Sequence, residues 1–194
     1  YYFIKNKMTS IKKKIKKKIA FFLDRDGVIN KENSKLHYQN PMKINVGAVS
    51  AIKKINKNGY LCIVVTNQSA VAKGIITIRK LESDHKKLKN YFLKHGAHID
   101  RIYYCPYYNE KVFVGENKKY KKKSKWRKPD NGMFLQAIKD FKIDTKKSYM
   151  IGDRSTDYYA AKKTRVKFLL VGNKFIKKNI KSHTSLLSAV KTIL

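Results

Sequence analysis

Residues 20–30 read Ala-Phe-Phe-Leu-Asp24-Arg-Asp26-Gly27-Val-Ile-Asn30. Two carboxylates one residue apart close an apolar run and precede a glycine. The chain holds only 13 Asp plus Glu against 46 Lys plus Arg, so a tight acidic pair at a strand end needs a reason. The chemistry that fits is Mg²⁺ binding with attack on a phosphoryl group. Oxygen ligands suit Mg²⁺, and a metal-bound carboxylate can still act as a nucleophile. Side chains repeat with period two in extended chain, so Asp24 and Asp26 point to the same side.

Three further segments could serve that chemistry. Val64-Val65-Thr66-Asn67-Gln68-Ser69 is an apolar strand ending in hydroxyl and amide groups, which can meet a phosphate together with backbone N–H groups. Alone it is a weak signal, since strands often end in Thr-Asn turns. Arg127-Lys128-Pro129 stands before a helical pattern, and a fixed lysine there could neutralise a transferring phosphoryl group. In so basic a chain one lysine is poor evidence. Tyr149-Met-Ile-Gly152-Asp153-Arg154-Ser155-Thr156-Asp157 is a strand ending in Gly-Asp, with a second acid four residues on. Asp157 has an ordinary reading as a first-turn acid favoured by the helix dipole. Asp153, at a strand end after glycine, has none.

The elements that must position these residues alternate. Strand patterns cover Ile19–Leu23, Leu61–Thr66, Arg101–Tyr104, Ser148–Ile151 and Val166–Val171, several of them apolar on both faces as buried parallel strands are. Helical patterns run from about Gly47 to Asn58, with Gly59 as the stop, and from Thr77 as N-cap with a stripe of Ile78, Leu81, His85, Leu88 and Phe92. Others cover Gly132–Phe141, the residues after Ser155, and Leu186–Leu194. The expected class is α/β with a parallel sheet. The lysine-dense stretch Lys118–Lys128, eight basic residues in eleven, reads as a loop over the carboxyl edge of that sheet.

A chain of 194 residues with 42% hydrophobic residues is expected to form one domain, residues 19–194, behind a basic extension over 1–18. No apolar run reaches membrane-span length, so no membrane partner is expected. The apolar stretch behind Lys12–Lys18 is too short for a signal peptide and ends in Asp24, which argues against secretion. Two cysteines make no disulfide framework, and the compartment expected is the reducing cytoplasm. The net charge of +33 would suit a polyanion partner. The accompanying Ile, Asn and Tyr point instead to AT-biased composition, so nucleic acid is possible but not favoured as a partner. A monomer is expected.

Taken in order, Asp-x-Asp-Gly, Thr-Asn-Gln, Lys-Pro before a helix, and Gly-Asp-x-x-x-Asp resemble the haloacid dehalogenase superfamily of phosphatases over about residues 19–172. Asp-Arg-Asp-Gly-Val-Ile-Asn, Thr-Asn-Gln-Ser, Arg-Lys-Pro and Gly-Asp-Arg are similar to the branch acting on heptose bisphosphates and histidinol phosphate. The resemblance implies a Rossmann-like three-layer sandwich with little or no cap domain. It implies a small phosphorylated sugar as substrate, with the 7-phosphate of D-glycero-D-manno-heptose 1,7-bisphosphate preferred. The alternatives are histidinol phosphate and a nucleic-acid 3′-phosphate.

In that pattern Asp24 is the nucleophile, and Asp26 protonates the leaving oxygen and later activates water. Mg²⁺ is held by Asp24, the backbone carbonyl of Asp26 and Asp153, with Asp157 in support. Thr66 and Lys128 grip the phosphoryl oxygens. Arg127, Arg154, the segment Glu32, Asn33, Ser34 and Lys35, and the strand-end residues Asn67, Gln68 and Ser69 contact substrate. The branch usually carries a zinc loop of Cys-x-His and Cys-x-Cys. Here Cys105-Pro-Tyr107-Tyr108 keeps one cysteine, and Ser124 and Trp126 replace the later pair. One thiolate cannot build a four-ligand site, so zinc is not expected. Aromatic packing of Tyr107, Tyr108, Tyr120 and Trp126 is expected in its place.

Overall fold

The computed structural model describes residues 17–32, 42–110, 115–175 and 179–194. The expected segment Asn33, Ser34 and Lys35, and nearly all of the basic extension, lie outside the described residues. Among the described residues, six parallel strands form one sheet: β1 Ala20–Leu23, β2 Leu61–Asn67, β3 Arg101–Cys105, β4 Tyr149–Gly152, β5 Lys167–Val171 and β6 Ser182–His183. Their order is β3-β2-β1-β4-β5-β6. Among the described residues, five α-helices connect or flank them: α1 Ala48–Lys57, α2 Ile78–Lys94, α3 Gly132–Phe141, α4 Ser155–Lys163 and α5 Leu186–Lys191.

The centre of the sheet is buried on both faces because β1 and β2 are apolar on both faces. Phe21, Leu23, Cys62 and Val64 pack on one side with the inner faces of α1, α2 and α5. Ala20, Phe22, Ile63 and Val65 pack on the other with Met133, Phe134 and Ala137 of α3 and Ala160 and Ala161 of α4. This is the α/β parallel sheet that the sequence pattern calls for and the three-layer sandwich that the resemblance implies, with no second domain among the described residues.

A local signal accounts for the start of α2. Thr77 Oγ1 accepts a hydrogen bond from the Lys80 N–H at 3.1 Å, as an N-cap should. Leu81, His85, Leu88 and Phe92 form the buried stripe of α2. Lys18 is already part of the fold: its N–H donates to Lys142 O at 3.1 Å and its carbonyl accepts from Asp144 N at 2.8 Å.

The strand order fixes where a site can be. The chain leaves β1 toward β2 and β3, then returns to place β4 on the other side of β1. The crevice beyond the carboxyl ends of β1 and β4 is therefore the switch point, where open α/β sheets bind ligands. Asp24 follows β1 and Asp153 follows β4.

Candidate active site

Asp24 extends the β1 ladder, its N–H donating to Ile151 O at 3.0 Å. The chain then turns through Arg25-Asp26-Gly27. Gly27 has φ 89°, and a Cβ on it would lie 2.3 Å from Asp153 Oδ2, so only glycine lets the turn approach β4. Gly152 has a parallel reason: a Cβ there would meet Asp157 Cβ at 2.5 Å.

Lys128 is buried at the centre. Its Nζ lies 2.9 Å from Asp24 Oδ1 and 2.6 Å from Asp157 Oδ1, and donates to Val65 O at 2.8 Å. Asn67 holds the lysine by its backbone: its Oδ1 accepts from Lys128 N at 3.0 Å and its Nδ2 donates to Lys128 O at 2.9 Å. Burial pushes the Asp24 carboxyl up, Lys128 pulls it back, and Asp157 adds to the rise. The Lys128 ammonium stays charged, because Asp157 and Asp24 outweigh its burial.

Asp26 is held apart from that cluster. Arg25 Nη2 lies 2.8 Å from Oδ2 and Arg25 Nε 3.1 Å from Oδ1. Asn30 Nδ2 donates to Oδ1 at 2.8 Å and Gln68 Nε2 to Oδ2 at 2.9 Å. Burial raises this carboxyl, but the Arg25 charge and these hydrogen bonds prevail and hold it below the usual carboxylate range. Gln68 also donates to Thr66 Oγ1 at 2.9 Å, which leaves the threonine O–H as a donor in the cleft. Arg25 in turn rests on His85, whose Nε2 lies 3.1 Å from Nη1. Burial and the Arg25 charge keep that imidazole neutral, so it accepts this hydrogen bond.

Asp157 sits in the first turn of α4, where its Oδ2 accepts from the Arg154 N–H at 3.1 Å. Carboxylate oxygens of Asp24, Asp153 and Asp157 all lie within 4.8 Å of one another. Asp153 Oδ1 is buried and has no hydrogen-bond partner among the described residues. Three converging carboxylates with an unsatisfied oxygen are the donor set a hard cation such as Mg²⁺ takes.

A cleft of about 470 Å³ opens over Asp24, Asp26 and Lys128, with Asp153 and Asp157 outside its wall. Its wall includes the expected Asp24, Asp26, Glu32, Thr66, Asn67, Ser69, Arg127, Lys128 and Arg154, and also Lys73 and Thr156. Gln68 is buried behind the wall. Glu32 pairs with Arg154 and with Lys174, at the mouth. The Arg127 guanidinium stacks 4.7 Å over the Tyr108 ring and donates to Tyr107 O at 3.3 Å. Tyr107 and Tyr120 pack at 5.8 Å, whereas Trp126 turns to Tyr103 at 6.3 Å. Cys105 is buried among them.

Sequence reasoning passed over Arg25, Asn30 and Lys174. For Arg25 a signal existed, because an arginine between two buried acids must be paired. His85 falls on the apolar stripe of α2 in the sequence, and its hydrogen bond to Arg25 was not readable there.

Comparison with known proteins bears on the whole arrangement. Residues 125–182 match the HAD-hydrolase-like family model. The chain is 39% identical over 155 residues to the D-glycero-beta-D-manno-heptose-1,7-bisphosphate 7-phosphatase of Haemophilus ducreyi, covering 77% of this chain and 80% of that one. It is 38% identical over 144 residues to the Vibrio cholerae protein of the same name, covering 74% and 75%. Among solved structures, a putative HAD-like phosphatase from Mesorhizobium loti aligns with TM-score 0.77 and 26% identity, covering 91% of this chain and 88% of that one. The D,D-heptose 1,7-bisphosphate phosphatase from B. bronchiseptica, complexed with magnesium and phosphate, shares the fold with TM-score 0.74 at 22% identity over 90% and 98%. With its acids at the β1 and β4 ends and these relatives, the chain belongs to the haloacid dehalogenase superfamily of phosphoric monoester hydrolases, in the family of the heptose 1,7-bisphosphate 7-phosphatases.

Proposed function

We propose that this protein is a Mg²⁺-dependent phosphatase that removes the 7-phosphate of D-glycero-D-manno-heptose 1,7-bisphosphate through an aspartyl-phosphate. The observation that carries this reading is the division of the two acids of one turn. Asp24 faces Lys128 and two further carboxylates, while Asp26 is held separately by Arg25, Asn30 and Gln68. The names of the relatives support the sugar.

In this reading an Asp24 oxygen attacks phosphorus, and the bond from phosphorus to the sugar oxygen breaks. Phosphoryl transfer depends mostly on positioning and charge neutralisation. Lys128 and the Thr66 hydroxyl supply donors for the phosphoryl oxygens. The leaving oxygen takes a proton from Asp26. Because Asp26 lies below the usual carboxylate range, that proton arrives with the substrate, whose second phosphate ionisation lies near pH 6 by roughly the phosphoester value. Water then attacks the aspartyl-phosphate, Asp26 accepts its proton, and phosphate leaves with Asp24 restored. Asp24 and Asp153, with Asp157 beside them, would hold Mg²⁺, which supplies charge neutralisation of the phosphoryl group and keeps Asp24 ionised. At the mouth, Arg127 and Arg154 would meet the remainder of the bisphosphate.

The test is turnover with Mg²⁺ on heptose 1,7-bisphosphate, histidinol phosphate and a 3′-phosphorylated oligonucleotide, for wild type and Asp24→Asn. The expected result is hydrolysis of the bisphosphate ahead of the others. Asp24→Asn should lose it while keeping its circular dichroism spectrum. Unchanged turnover in Asp24→Asn refutes the nucleophile, and preference for another substrate refutes the heptose assignment.

A further inference from the structure

Lys174 lies beyond β5, outside every motif that carries the family resemblance. Its Nζ is nonetheless 2.9 Å from Asp153 Oδ2, and it also contacts Glu32. The Asp153 side chain is 3% exposed and the Lys174 side chain 42%. A buried acid is thus met by a flexible lysine reaching in from the surface.

The charges of the cluster explain why it reaches there. Lys128 serves Asp24 and Asp157, at 2.9 and 2.6 Å. Asp153 is left to Lys174, with Arg154 Nε farther off at 3.9 Å. The Lys174 ammonium lies 3.4 Å from where a Cβ of Gly27 would be, in the gap between the Asp26-Gly27 turn and Asp153. A cation entering among Asp24, Asp153 and Asp157 must share Asp153 with an ammonium already paired to it. A second acid, Glu32, already pairs with the lysine and would keep it when Asp153 is taken.

We propose that Lys174 and Mg²⁺ compete for Asp153, the lysine keeping only its pair with Glu32 when the metal binds. The inference rests on the Mg²⁺ reading above. Lys174 would thereby set how tightly the site holds its metal, at the level of a partly exposed ion pair plus repulsion between neighbouring cations. Removing the ammonium should tighten Mg²⁺ binding about three- to tenfold.

The experiment is calorimetric titration of wild type, Lys174→Met and Lys174→Arg with magnesium chloride, paired with thermal unfolding in EDTA and in saturating Mg²⁺. Lys174→Met should bind Mg²⁺ about three- to tenfold more tightly, and Lys174→Arg, which keeps the charge, should stay near wild type. Lys174→Met should melt below wild type in EDTA, and the difference should close with Mg²⁺. Lys174→Met binding Mg²⁺ no tighter than wild type overturns the competition. So does an equal loss of melting temperature in both conditions, since that marks a merely structural lysine. A wild type that binds no Mg²⁺ overturns the metal reading itself, and the competition with it.

Discussion

His85 offers a direct test of how Asp26 is held. It is 6% exposed, and its Nε2 accepts from Arg25 Nη1 at 3.1 Å. Burial first, then the Arg25 charge, lower its pKa from 6.5 to about 3, with Asp26 opposing. Below pH 6.5 the unfolded chain binds a proton that the folded one refuses, so stability falls as pH falls. The loss continues until the folded group itself titrates near 3. Linkage puts the His85 contribution at about 2 kcal/mol lost at pH 5, against about 0.2 kcal/mol at pH 7. His85→Gln keeps an acceptor for Arg25 and removes the titration. It should cost a pH-independent amount, about 1 kcal/mol, for the lost ring contact with Tyr104. Urea unfolding followed by circular dichroism at pH 7, 6 and 5 reads the difference. Wild type should lose about 2 kcal/mol more than His85→Gln between pH 7 and 5. Parallel pH curves would mean that the imidazole is protonated in the fold, and would refute the hydrogen-bond assignment to Arg25.

Two further outcomes follow from the site. Lys128→Met leaves Asp24 and Asp157 buried without their shared cation, so it should cost about 3–5 kcal/mol in denaturant unfolding and abolish phosphatase turnover. Elemental analysis of the pure protein should find no stoichiometric zinc, because Cys105 lacks the partners of a four-ligand site; one zinc per chain would sink that expectation.

What could be read from the sequence follows from how each feature is encoded. β1 and β2 were legible because both their faces are buried, which writes an unbroken apolar run into the chain. β6 was not, because two polar residues, Ser182 and His183, carry no such run. That Asp24, Lys128 and Asp153 converge was legible because they stand at the ends of patterns whose order is itself informative. How they are wired was not. Asn67 looked like a substrate contact, yet its amide also brackets the Lys128 peptide 61 residues away. Lys174 reaches Asp153 over 21 residues and Glu32 over 142. Ion pairs at such separations leave no periodicity, and in a chain with 46 basic residues the residue type marks nothing.

Burial does separate them. Among the described residues the buried basic side chains are Arg25 and Lys128, and each meets one acid of the Asp24-Arg-Asp26 turn. The two acids nevertheless move in opposite directions, Asp24 up and Asp26 down. Burial raises both, so the difference lies in their partners. Asp26 takes the Arg25 guanidinium together with amide donors from Asn30 and Gln68. Asp24 must share its one lysine with Asp157, and Asp153 lies close by. The negative charge around Asp24 is therefore under-compensated, while that of Asp26 is satisfied. A divalent cation gains most at the first position and little at the second. In the proposed mechanism, the imbalance that raises Asp24 is what a cation beside that carboxylate would relieve, while Asp26 is left to handle protons.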